Sequence, residues 1–338
     1  MYKPIDQWFG SPNKNIKPLQ KTVFYLDSTT MQSNWLHDKP EKSIIISIVK
    51  WNKIPIILCT NLKQNHKYGI PTENMYTDKH ITFLKSTLQK CVRRQLNEKA
   101  VKVAYHFIKI NINEFIRRLS IIILEDVILH ESYSTLVWLI ATTSSTKNIF
   151  KPNKQIIDWL LGYVDTLCNI SDADKMYNNK NNEPKKYNIT DFNDYDILYS
   201  LQFRSSYGGM GCDVDMINYY IEKWFTQFKK DNPCNNALIT SIDSSTIKPF
   251  IIDDWKLKGD NMAGIDFHCA PYILEILSKQ YNYTSNEVKS AIWNCSSKIN
   301  TRKINYKTDK NKEVWNKIKH SYYELQFNIL NKSLKKYI

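Results

Sequence analysis

The chain has 338 residues and a formal net charge of +14, with 42% hydrophobic and 13% aromatic residues. This composition predicts a folded protein with room for two domains and excludes a largely disordered chain. No apolar run approaches the roughly 18 to 20 residues of a membrane helix, and the sequence does not open with a signal-peptide core. We therefore expect a soluble intracellular protein that does not contact membranes. Its seven dispersed cysteines fit free thiols in a reducing compartment.

Residues 1–18 are predicted to form a tail that carries a partner-binding peptide. Within it, Ile5 stands three residues before Trp8 and four before Phe9. This spacing resembles the peptide with which replication and repair proteins bind the DNA sliding clamp, although Tyr2 replaces the leading glutamine of that motif. The resemblance implies a sliding clamp as a partner. The alternative is an aromatic anchor that folds back onto the protein's own core.

A small mixed α/β region is predicted over residues 19–79. Two β-branched runs within residues 42–62 flank Asn52 and Lys53. Such runs around a two-residue turn predict a β-hairpin. Helical patterns dominate the remainder of the sequence, so the expected fold class is mainly α, a helical bundle with a small N-terminal α/β or β-hairpin portion.

A helical bundle is predicted over residues 80–170, because apolar residues recur there at spacings of three and four. Three successive helices are expected within residues 84–129, and Asn97 and Asn113 are the predicted N-caps of the second and third. A fourth helix is expected over residues 153–168. Basic side chains fall on the predicted polar faces of the first three helices: Lys90, Arg93, Arg94, Lys102, Arg117 and Arg118.

Residues 84–129 resemble the helical C-terminal region of clamp-loader-like AAA+ ATPases of the replication-associated recombination protein A or Werner-helicase-interacting type. The matching residues are Arg117, Arg118, Leu119, Glu125, Asp126 and Val127, with looser agreement at Arg93 and Arg94. The resemblance implies a helical module taken from the proteins of DNA replication and repair. It does not imply ATP hydrolysis, because the sequence has no GxxxxGK[ST] phosphate-binding loop.

Charge is distributed unevenly in the second half of the chain. Residues 171–189 have few apolar side chains and are predicted to be a flexible linker or insertion before a second helical domain over residues 190–338. Residues 190–275 carry seven basic and thirteen acidic side chains, whereas residues 298–338 carry eleven basic and three acidic ones. This asymmetry predicts a basic binding surface at the C-terminal end, with Lys298, Arg302 and Lys303 as phosphate contacts.

The amino-acid usage offers a second source for the lysine excess. Asn, Lys, Ile and Tyr are all abundant, which AT-rich codons produce and which is similar to the composition of proteins of giant DNA viruses. A viral origin would place the protein in the host cytoplasm or in a viral factory. Part of the positive charge would then reflect codon composition instead of ligand binding.

A possible metal site provides the alternative chemistry. Carboxylates hold Mg²⁺ for phosphodiester cleavage, and the candidate ligands in this sequence are Asp213, Asp215, Asp266 and His268. Glycines precede the first two of these positions, in residues 207–211. That run either forms a tight turn between two helices or lets backbone N–H groups approach an anion.

We therefore expect a non-catalytic DNA-binding accessory or architectural factor in replication or repair, which contacts the phosphate backbone through basic helical faces and uses no cofactor. One alternative is a Mg²⁺-dependent nuclease or other phosphoryl-transfer enzyme. Another is a virion or assembly protein whose charge serves packaging.

Overall fold

The computed structural model describes residues 20–63, 78–144, 150–174, 195–208, 211–248, 267–303 and 308–334. The predicted tail peptide of Ile5, Trp8 and Phe9 lies outside the described residues, and so does the metal-ligand candidate Asp266. Most of the predicted linker, residues 175–189, lies outside them as well. These predictions therefore stay predictions.

The N-terminal region is a four-stranded mixed sheet in the order β2-β1-β4-β3. The strands are β1 (Val23–Asp27), β2 (Gln32–Leu36), β3 (Ile44–Trp51) and β4 (Ile54–Thr60). The β1–β2 and β3–β4 pairs are antiparallel, and β1 runs parallel to β4. The predicted hairpin is confirmed as β3–β4. Its turn residues Asn52 and Lys53 both have positive φ angles, 49° and 70°, as two-residue hairpin turns require.

Nine α-helices follow the sheet within the described residues, so the mainly α fold class is confirmed. They are α1 (Asp78–Arg93), α2 (Asn97–Asp126), α3 (Tyr133–Thr143), α4 (Lys154–Asn169), α5 (Asp196–Ser205), α6 (Gly211–Phe228), α7 (Pro271–Tyr281), α8 (Ser285–Ile292) and α9 (Asp309–Leu334). A π-helical turn, Trp293–Ser297, extends α8. None of the described helices is both long and apolar enough to cross a membrane.

The predicted helix starts at Asn97 and Asn113 need correction. Asn97 caps nothing, because its side-chain amide donates to Asp165 and Asn169 of α4 instead. The second and third predicted helices are one kinked helix, α2, whose residue Asn111 has non-helical angles of φ −157° and ψ 91°. The side chain of Asn111 accepts a hydrogen bond from the Glu114 amide at 3.0 Å and so caps the second half.

Aromatic side chains join the sheet to the bundle. Trp35 stacks on Phe24 with ring centroids 4.1 Å apart, and its indole N–H donates to Ser200 of α5 at 2.9 Å. The indole of Trp138 on α3 donates to the carbonyl of Phe24 at 3.0 Å. The sheet and the helices therefore share one hydrophobic core, in which buried Trp side chains also satisfy their N–H groups.

Candidate nucleic-acid interface

Three helices end close together, at a place where one short segment, residues 298–303, binds their last carbonyls. α1 ends at Arg93, α2 at Asp126 and α4 at Asn169. The last carbonyls of a helix lack partners within the helix and lie at the negative end of its dipole. Cationic hydrogen-bond donors are therefore the partners that such an arrangement favours.

Arg302 supplies most of the donors at this junction. Its Nε donates to the carbonyl of Ile170 at 2.6 Å, and its Nη1 donates to that of Val92 at 2.7 Å. Its Nη2 donates to the carbonyl of Leu167 at 2.6 Å. Burial lowers the pKa of Arg302 from its ordinary value. The guanidinium predicted to contact DNA thus binds the ends of α1 and α4.

Lys303 and Asn300 do the same for α2. Lys303 Nζ donates to the carbonyl of Glu125 at 2.7 Å, and Asn300 Nδ2 donates to that of Asp126 at 2.8 Å. Burial is the main cause that lowers the pKa of Lys303. Part of the C-terminal positive charge is therefore committed to holding the fold together.

A buried ion pair adjoins these helix ends. Arg93 Nε lies 2.6 Å from Asp126 Oδ1, and the two side chains are only 6% and 5% exposed. Arg93 also donates through Nη1 to the carbonyl of Ser297 at 2.6 Å. Two charges removed from water need such complete pairing, because an uncompensated buried ion is strongly unfavourable.

The polar network extends from this pair towards α2. Gln89 Nε2 donates to Glu125 Oε2 and to Asp126 Oδ2, each at 2.8 Å. Arg118 in turn donates to the side-chain oxygen of Gln89. Burial and then the neighbouring charge of Asp126 raise the pKa of Glu125 from its ordinary value. We call Gln89, Arg93, Arg118, Glu125, Asp126, Asn300, Arg302 and Lys303 the helix-end cluster.

Lys90 and Arg94, the other two basic residues predicted to contact DNA from α1, are buried as well. They are 4% and 7% exposed, and Arg93 is 5% exposed. Arg94 Nη2 donates to the carbonyl of Ser296 at 3.0 Å, and burial lowers its pKa. The prediction that these three cations lie on an outer face is wrong. Arg93 and Arg94 bind carbonyls of the π-helical turn that follows α8, and all three side chains are buried, so these cations are not on a surface that a DNA phosphate could contact.

Arg117 also has internal partners. It donates to the carbonyl of Tyr207 at 3.2 Å and to Ser144 Oγ at 3.0 Å. The buried Arg204 donates to the carbonyl of Gly208, whose φ is 72°, at 3.0 Å. Arginine donors thus bind two carbonyls of the turn after α5, which matches the structural interpretation of this glycine run.

Lys102 and Lys298 keep partly exposed side chains. Lys102 is half-buried on α2, and Lys298 is half-buried directly after the π-helical turn. Unlike these two, the other seven predicted phosphate contacts are buried or bind groups within the protein. Of the two, Lys298 lies in the basic C-terminal part of the chain.

The predicted metal ligands do not form a cluster in the described part of the chain. Asp213 lies in the first turn of α6 and Asp215 follows two residues later, so the two side chains are about 200° apart around the helix axis. His268 instead stacks near Trp293, with ring centroids 4.6 Å apart. Among the described residues, no group of three His, Cys, Asp or Glu side chains could hold a metal ion.

Helices α7, α8 and α9 pack on one another, and we call them the C-terminal unit. Three residues connect α7 to α8. Asn282 adopts the left-handed conformation at φ 55° and ψ 46°, and Thr284 caps α8. The Glu287 side chain accepts a hydrogen bond from the Thr284 amide at 2.9 Å, while Glu287 N donates to Thr284 Oγ1 at 3.3 Å. This capping box fixes the first residue of α8 and the angle at which it leaves α7.

Helix α8 separates an apolar face from a polar one. Its buried residues are Val288, Ala291 and Ile292, and Cys295 of the π-helical turn continues this buried face. The opposite face, with Ser285, Asn286 and Lys289 exposed and Ser290 and Trp293 half-buried, is called the α8 outer face. It contains no carboxylate, because Glu287 lies beside it and is paired with Lys310 of α9 at 2.8 Å.

Ser285, Asn286 and Lys289 of the α8 outer face are not among the residues predicted from the sequence as DNA contacts. The sequence carries two signals for this face. One is Thr284 three residues before Glu287, which is the pattern of a capping box. The other is the apolar spacing from Val288 to Cys295, which leaves Asn286 and Lys289 on the opposite side.

No protein family, curated protein or solved structure matches the chain at a significant level. Its function is therefore inferred from the geometry and charge of its own residues.

Proposed function

We propose that the protein is a non-catalytic DNA-binding factor and that its C-terminal unit contacts the phosphate backbone. The proposal rests on the distribution of ion pairs on this unit. Its described acidic side chains are mostly paired with lysines: Glu275 with Lys279, Glu287 with Lys310, Asp309 with Lys312, and Glu313 with Lys317. Further lysines, namely Lys289, Lys298, Lys319 and Lys332, form no ion pair with the described residues.

These lysines without ion pairs are the positive charges that remain available to a polyanion. The helix-end cluster withdraws Arg93, Arg302 and Lys303 from the surface, so the total charge overstates what is accessible. Four of the described lysines without ion pairs lie within residues 289–332, the part of the chain that holds most of the C-terminal unit. Phosphate contacts from lysines give binding that tolerates sequence and weakens with salt.

The setting within the cell is proposed from the sequence resemblances. The match of residues 84–129 to a helical region of replication-associated ATPases supports a role in DNA replication or repair. The peptide of Ile5, Trp8 and Phe9 supports recruitment by a sliding clamp. The amino-acid usage supports a giant-virus origin and an intracellular site of action.

Fluorescence anisotropy with labelled duplex DNA tests the proposal. Four phosphate contacts predict that affinity falls by about a hundredfold between 50 and 200 mM salt. The double variant Lys289→Glu with Lys298→Glu should bind at least about tenfold more weakly than the wild type at 50 mM salt. The matched control reverses two exposed lysines, Lys42 before β3 and Lys50 within β3, and should change affinity much less. Equal losses in both variants, or no binding at 50 mM salt, would overturn the proposal.

A further inference from the structure

The C-terminal unit has the connectivity of a helix-turn-helix. α7 and α8 are joined by only three residues, Asn282 to Thr284, and α9 packs against both helices. The backbone amides of Asn282 and Tyr283 both donate to the carbonyl of Ser278, and these hydrogen bonds close the C-terminal end of α7. Two helices with a three- or four-residue turn form the motif that places a second helix in the DNA major groove.

The turn is built so that α8 has a defined orientation. A left-handed residue is needed between the two helices, and Asn is one of the few non-glycine residues that adopts it readily. The Thr284 capping box then starts α8 directly after the turn. Inward packing of Val288, Ala291 and Ile292, all fully buried, fixes the rotation of α8 about its axis. The α8 outer face is consequently a rigid surface.

The chemistry of this face suits base edges better than a protein groove. Asn286 and Lys289 are exposed, and they are three residues apart and therefore neighbours on one side of the helix. Asn pairs with the N6 and N7 positions of adenine, and Lys reaches the O6 and N7 positions of guanine. A carboxylate on this face would repel phosphates, but Glu287 is turned to Thr284 and Lys310.

We propose that α8 lies in the major groove of duplex DNA, where Ser285, Asn286 and Lys289 read base edges. This inference rests on the proposed function and adds to it a ligand class, B-form duplex, and a sequence preference. The major groove admits an α-helix, and the N-terminal residues of the second helix of the motif contact the bases. Lys298, beyond the C-terminal end of α8, is placed to contact a phosphate of the same duplex.

Selection of binding sites from a random duplex library, followed by anisotropy competition with the full chain, tests this inference. The wild type should enrich a defined sequence. The variants Asn286→Ala and Lys289→Ala should each lose about 5- to 150-fold of the preference for that sequence at one base position. Their thermal melting should match the wild type, because both side chains are exposed and lie outside the capping box.

Lys50→Ala is the matched control, since it removes the same charge from an exposed position on β3, outside the C-terminal unit. It should leave the preferred sequence unchanged. Three outcomes would overturn the inference but leave DNA binding intact. The wild type could bind DNA without any sequence preference, or it could bind single strands more tightly than duplex. In the third outcome, both α8 variants would keep the sequence preference of the wild type. If the wild type does not bind DNA, both the proposed function and this inference are wrong.

Discussion

The helix-end cluster and the C-terminal unit use the same residue types for opposite purposes. In the cluster, Arg302 and Lys303 donate to carbonyls of helices far away in the sequence. In the C-terminal unit, Lys289 and Lys298 have no ion pair among the described residues. A count of positive charges does not distinguish these two roles. The distinction depends on which helix ends need donors after folding.

Among the variants that separate these two roles, removal of the Asp126 carboxylate should have the largest effect on stability. Asp126→Ala leaves Arg93 buried without its carboxylate, so the free energy of unfolding should fall by about 3 to 5 kcal/mol. Urea denaturation followed by circular dichroism measures the change. The control Glu275→Ala breaks an ion pair on the C-terminal unit whose side chains are 76% and 65% exposed, and exposed pairs contribute about 1 kcal/mol or less. Equal losses would mean that the cluster is not a buried network.

Arg302 tests the capping role itself. Arg302→Ala removes a cationic donor from the carbonyls of Val92, Leu167 and Ile170, and we expect a loss of about 2 to 3 kcal/mol. Arg302→Lys keeps the charge but loses the planar fork that reaches several carbonyls at once, so it should restore only part of the stability. A variant that loses DNA affinity but unfolds like the wild type would show that Arg302 is a DNA contact after all.

Glu125 gives the smallest effect, and it depends on pH. Its pKa is raised in the folded protein, so its stabilising contribution is present below the ordinary pKa of about 4.3 and is lost as pH rises through the folded value. Glu125→Gln should therefore gain stability relative to the wild type as pH increases from 4 to 7. We expect the gain to stay below about 1 kcal/mol, because the side chain is 32% exposed. Urea titrations at both pH values measure it, and a constant difference would contradict it.

Much of the fold could be predicted because local patterns determine it. The β3–β4 hairpin and α4 follow from alternation, turn residues and a capping Asn153, whose side chain accepts from Ile156 N at 3.1 Å. α3 was missed because ten of its eleven residues are buried, so it lacks an amphipathic pattern. The third helix was predicted to start at Asn113, two residues after the kink of α2 at Asn111, because both Asn residues are equally good caps by residue type.

The site was harder to predict, for a physical reason. Arg302 binds carbonyls 132 and 210 residues away in the sequence, and such pairing becomes visible only after the helices have packed. The basic residues of α1 were therefore assigned to a surface that the fold does not provide. By contrast, the α8 outer face follows from the apolar spacing within eleven residues, so it could have been predicted from the sequence.

Lysine footprinting by mass spectrometry tests the division between internal and external cations most directly. The protein is treated with an amine-reactive reagent with and without duplex DNA. We predict that Lys90 reacts slowly in both samples, since it is 4% exposed, and that Lys50 on the sheet reacts rapidly in both. Lys289 and Lys298 should react in the free protein and be protected by the duplex. Rapid reaction of Lys90 in the free protein, or DNA protection spread equally over Lys50 and Lys289, would contradict the account.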